Sequence, residues 1–125
     1  MQPTQTVSPE LWTYGEHVRT GGDLSGYHVE ATDGGVGKVD DATYDDGSSF
    51  LVVDTGPWIF GKKVMLPAGV IKSVDHDDET VFVNQMKDEI KSAPEFDDSL
   101  MEDDDYRGQL GTYYGPGGAG YRDQN

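Results

Sequence analysis

The chain has 125 residues, of which 34% are hydrophobic, with 24 acidic against 9 basic side chains and a formal net charge of -15. That length suits one domain with a modest core. A surface this negative repels nucleic-acid phosphates and anionic lipid head groups. With no cysteine in the sequence, disulfides, thiolate metal sites and a cysteine nucleophile are excluded.

Residues 1–22 read as a mostly loose N-terminal arm. Its opening, "MQPTQTVSPE", has neither the basic nor the apolar region of a signal peptide, so a cytoplasmic protein is expected. Within the arm, "SPELWTY" could form one helical turn, with Ser8 as cap and Pro9 at its first position, and Trp12 could pack that turn onto the domain.

Residues 23–97 are punctuated like an all-β domain, and the apolar residues that should build the core concentrate between Tyr27 and Phe96. "YHVEA" alternates and "DGG" turns the chain. "VGKVDDATY" follows, with Val36 and Val39 among its apolar positions, and then "FLVVDT", a short run rich in β-branched residues. "KVMLP" and "GVIKSVD" are separated by Pro67, Ala68 and Gly69. After the acidic turn "DHDDE", "TVFVNQ" places Val81 and Val83 on one face. Six short strands with Gly, Asp and Pro between them predict a small six-stranded barrel or sandwich. The gaps are too short for helical crossovers, which argues against a parallel α/β sheet. Closing the sheet would hide its edges.

Residues 98–125 form an acidic and then Gly/Tyr-rich tail. Just before it, "KDEIKSAP" predicts a short helix that Pro94 stops. Asp97, Asp98, Glu102 and Asp103 to Asp105 make a dense acidic patch. "SLMEDDDYRGQLGTYYG" could form a weak helix with Leu100, Tyr106, Leu110 and Tyr113 as its stripe, and the final "GPGGAGYRDQN" has nothing to bury.

The motifs carry little chemistry. "GPWIFGKK" approximates a phosphate-binding loop, but Lys63 stands where the metal-binding hydroxyl belongs, Pro57 offers no N–H, and a strand follows where a helix is required. The connection reads better as a β turn whose Trp58, Ile59 and Phe60 either plug a barrel end or form an exposed knob. In the second case Trp58, Ile59, Phe60, Lys62 and Lys63 become the candidate contacts to a partner. "DHDDE" offers His76 with Asp75, Asp77 and Asp78 for a divalent cation, although it lacks the spacing of a calcium loop. "GGVG" at 34–37 lacks the third glycine of a dinucleotide fingerprint. No nucleophile elbow occurs. The reading is of a non-enzyme with no cofactor.

The strands also resemble a PRC-barrel domain, the family named for the photosynthetic reaction centre. The resemblance rests on the glycine, valine and aspartate spacing from Gly26 to Val39, on "LVVDTG" with a tryptophan after it, on "GKKVMLP", and on "KDEIKSAPEFD". It implies a small β-barrel followed by a short helix, with Gly34, Gly37, Asp54, Gly56, Pro57 and Gly61 at structural turn and strand-end positions. It also implies a non-catalytic module that docks on a protein partner or on a second copy of itself, with no nucleic acid and no direct membrane insertion. A small-ligand or metal-binding protein that uses the acidic turns is the alternative. A reaction-centre accessory is a minor one, by analogy with the H subunit.

Overall fold

A computed structural model describes residues 11–15, 18, 21–44, 49–56, 62–115, 118 and 120. The expectations for Ser8, for Trp58, Ile59 and Phe60, and for most of the terminal glycine-rich stretch lie outside these residues.

The chain is mainly β. Its strands are β1 (His28–Ala31), β2 (Gly34–Ala42), β3 (Phe50–Asp54), β4 (Lys63–Pro67), β5 (Ile71–Asp75) and β6 (Thr80–Val83), and its helices are α1 (Lys87–Lys91) and α2 (Asp104–Tyr114). The strands form one mixed six-stranded sheet in the order β4-β3-β2-β1-β6-β5. Four consecutive strands make an antiparallel meander, and the β5–β6 hairpin then joins it by laying β6 parallel to β1. This parallel pair needs no helical crossover, because four intervening strands supply the length that returns the chain to β1.

Strand β2 explains a pattern that is irregular in the sequence. Val36 and Val39 are three apart, so a regular strand would send them to opposite faces. Register shifts place Val36 as an extra residue against β1 and Asp40 as an extra residue against β3. The first bulge brings both valines into the core, and both are buried. Asp40, at the second, points out to Lys63.

The expected closed barrel is not formed. Among the described residues β4 and β5 are the sheet edges and do not pair with each other. A 3-10 turn over Ala68–Val70 joins them. In a flat sheet these two strands would lie about 24 Å apart, at ~4.8 Å per strand. Four Cα–Cα steps span at most about 15 Å, so the sheet must curl strongly at this end. The backbone of this turn bonds other segments: the Gly69 N–H donates to Leu11 O (2.6 Å), and the Ala68 N–H to Ser49 O (3.0 Å). The free edges are blunted in other ways. Phe96 forms an isolated bridge to Lys63 of β4, and β5 carries a bulge at the exposed Lys72.

The core also reaches beyond the span 27–96 expected to contain it. Strand β3 is buried on both faces, from Phe50 to Val53. Trp12 from the arm and Leu24, just after it, join this core, as do Tyr106, Leu110 and Tyr114 from α2. The Trp12 and Phe50 rings meet edge to face at 6.4 Å, and the Arg107 guanidinium lies 4.7 Å from the Phe50 centroid. The acidic patch begins this helix: the Asp103 carboxylate accepts the Tyr106 N–H at 2.9 Å, with Asp104 and Asp105 in the first turn. The buried stripe is Tyr106, Leu110 and Tyr114. Tyr113, expected in that stripe, is half-buried and donates its hydroxyl to Glu89 O of α1. Leu100 precedes the helix, in a 3-10 turn over Asp98–Leu100. No helix among the described residues is long and apolar enough to cross a membrane.

Candidate functional site

The outer face of the sheet carries a row of side chains set by strand register. Residues opposite one another share a face. The row runs Lys63 (β4), Asp54 (β3), Lys38 (β2), His28 (β1), Thr80 (β6), Asp75 (β5). The next row holds Gly35, Glu30, Phe82 and Ser73. A cleft of about 370 Å³ opens where the rows cross β1, β2 and β3, lined among others by His28, Glu30, Gly35, Gly37, Lys38 and Asp54.

The glycines of "DGGVGK" make this cleft. Gly35 contributes no side chain to its floor, and a Cβ there would come within 3.2 Å of Glu30 Oε2, so the Glu30 carboxylate lies over that glycine. Gly37 has φ 156, and a Cβ there would stand 2.0 Å from the Asp54 carbonyl oxygen. Only glycine permits β2 to approach β3 this closely. At the far wall the Asp54 carboxylate accepts the Gly56 N–H at 2.9 Å through Oδ1.

The ionisable groups around the cleft are unequally engaged. Among the described residues the side chains of His28, Glu30 and Lys38 make no hydrogen bond or ion pair. Asp54 and Lys38 are register partners, yet no ion pair links them. Lys63 pairs instead with Asp40 at 3.0 Å, and Lys62 with Glu95 at 3.5 Å.

The connection nominated from sequence begins at the rim of this cleft, at Gly56. Thr55 ties its two ends together: the Thr55 hydroxyl donates to Lys62 O at 2.7 Å, and its N–H donates to the same oxygen at 3.3 Å. Of the nominated contacts, Lys62 and Lys63 stand just past this clamp on the acidic surface, whereas Trp58, Ile59 and Phe60 lie outside the described residues.

The acidic turn between β5 and β6 is organised by its own backbone. The Asp75 carboxylate accepts the N–H groups of Asp77 (3.0 Å) and Asp78 (3.1 Å). His76 Nδ1 meets the Tyr27 hydroxyl at 2.9 Å. No group of three His, Asp or Glu side chains among the described residues gathers in a geometry suited to a metal ion.

Burial raises the pKa of several tyrosines, Tyr14, Tyr106 and Tyr114 most strongly. All three are packing residues away from the cleft. In the sequence "GGVG" reads as an incomplete nucleotide fingerprint and as structural turn glycines, with no site assigned to the charged residues beside it. The available signal was the alternation of small and charged residues in "HVEATDGGVGK", which puts glycines opposite charged positions once a hairpin forms. No family model and no curated protein matches this chain.

Proposed function

We propose that this chain is a non-catalytic protein-interaction module of the PRC-barrel kind, working through the outer face of its sheet. The observation that carries this reading is Phe82. It is 36% exposed on a strand whose other three residues are buried, and it stands in the row beside Glu30. Met86, four residues on, is 41% exposed. Large apolar side chains ringed by polar ones are the usual anchors of a protein contact. The net charge of -15 favours a partner with a basic rim. The "GPWIFGKK" connection begins at the edge of the same face and would extend the contact. A short helix directly after six strands is what the family resemblance implies.

Light scattering coupled to size exclusion, on the full chain, Phe82→Glu and Trp58→Ala, tests self-docking. A dimer that Phe82→Glu dissociates supports the reading with a second copy as partner. If the chain is a monomer, affinity capture from its native host with wild type and Phe82→Glu side by side decides. A protein retained only by the wild type supports a docking face at Phe82, and identical retention by both refutes it.

A further inference from the structure

We infer that the cleft between β1, β2 and β3 binds a small zwitterion of the α-amino-acid type, with its ammonium group on Glu30 and its carboxylate on Lys38 and His28. This inference stands apart from the docking reading, because it needs neither a protein partner nor Phe82.

Two ion pairs form on this surface among the described residues, Lys63 with Asp40 and Lys62 with Glu95. None forms across the cleft. Lys38 faces Asp54 in register without pairing, Glu30 lies over Gly35 with no partner among the described residues, and His28 is equally unengaged. Glu30 on one side and Lys38 and His28 on the other thus flank a floor of bare glycine backbone, with the Asp54 carboxylate held at the far wall by the Gly56 N–H. A ligand carrying both charges is what such a gap accepts, since a simple cation would meet Lys38 and a simple anion would meet Glu30.

The dimensions agree. Glu30 and His28 are two residues apart on one side of β1, or about 6.7 Å, with Lys38 beside His28 in the same row. Side chains rooted at that spacing can reach, with hydrogen bonds of about 2.8 Å, the two ends of an α-amino acid, whose ammonium and carboxylate flank a single Cα. The cleft's 370 Å³ falls in the range of small-ligand sites, about 300–1,000 Å³. Specificity for carboxylate is notable in a chain of net charge -15, which would otherwise repel it. The unpaired Lys38 and His28 supply the local exception.

The test is an amide ¹H–¹⁵N NMR titration of the full chain. The probes are L-leucine, L-lysine, L-glutamate and dialanine, with N-acetyl-leucine and leucine amide as versions lacking one charge each. At least one free amino acid or the dipeptide is expected to give saturable shifts centred on the amides of Gly35, Gly37, Lys38 and Gly56, with Kd below about 10 mM. Each capped leucine should bind at least about tenfold more weakly than leucine itself. Glu30→Gln and Lys38→Gln should each weaken binding by about tenfold or more while leaving the rest of the spectrum in place. Gly35→Ala, which fills the floor, is a second variant with the same expected loss. No saturable shift from any probe overturns the proposal, as do shifts scattered over the acidic surface. Leucine amide binding as well as leucine would make this a cation site and would equally overturn it.

Discussion

Replacing Gly37 by alanine should be the most damaging one-methyl change in the sheet. The added Cβ would lie 2.0 Å from the Asp54 carbonyl oxygen and 2.9 Å from both Asp54 C and Thr55 Cα, all backbone atoms that cannot rotate away. Ordinary contact begins at 3.4 Å, so the shortfall is about 1.4 Å and β2 must part from β3. Two ladder hydrogen bonds flanking Lys38 and Val39 would lengthen beyond use, at about 1 kcal/mol each. The positive φ of 156 adds about 1–3 kcal/mol for a residue with a side chain. The expected cost is therefore about 3–5 kcal/mol, a large part of the ~5–15 kcal/mol that holds a domain together. Two neighbours calibrate it. Gly56 has φ 57 but open space around its missing Cβ, so Gly56→Ala should cost about 1–2 kcal/mol. Gly35→Ala meets only the movable end of Glu30, and should change stability by less than about 1 kcal/mol. Urea unfolding followed by far-ultraviolet circular dichroism reads all three, with an unchanged m-value as the sign that only stability moved. A Gly37→Ala variant within about 1 kcal/mol of wild type, or no worse than Gly35→Ala, would refute the close approach of β2 and β3.

Three further outcomes are expected. Trp12→Ala removes a ring packed against Phe50 and under Arg107, and should cost about 3–5 kcal/mol in the same urea assay. A loss below about 1 kcal/mol would show that the arm does not belong to the core. Tyr14, Tyr106 and Tyr114 hold their protons above the ordinary value of 10.0, chiefly because burial penalises the phenolate. The folded state thus binds these protons more tightly than the unfolded state does. The stability they contribute is intact below pH 10 and is lost as pH rises through and past it. Thermal melts that hold their midpoint well into that alkaline range would contradict this. Asp40→Asn breaks the ion pair to Lys63, in which the partners are 45% and 32% exposed, and should cost less than about 1 kcal/mol. A loss of several kcal/mol in chemical denaturation would mean that the pair anchors the β2 bulge.

The candidate site was only half legible in the sequence. Glycine spacing in "DGGVGK" marks a tight hairpin, but which charged side chains it gathers depends on where the bulges fall. An extra residue at Val36 decides that Glu30 faces Gly35, and no periodicity of the sequence announces it. In the opposite sense, Lys62 and Lys63 were recognisable as rare cations, yet their nearest carboxylates, Glu95 and Asp40, lie 33 and 23 residues away along the chain.

The sequence by itself determined the elements. Alternation and turn residues placed all six strands and the Pro94-limited helix, because local backbone preference and the period of two act over a few residues and leave their mark there. Tertiary structure alone decided how those elements meet. It made β6 parallel to β1, left β4 and β5 as edges, and set Tyr114, not Tyr113, in the buried stripe of α2. The physical reason is range. Pairing and burial are settled by competition among distant segments for the same hydrogen bonds and the same apolar surface. Leu11 and Ser49 hold the backbone groups of the β4–β5 connection, and among the described residues β4 and β5 remain edges of a curled, open sheet.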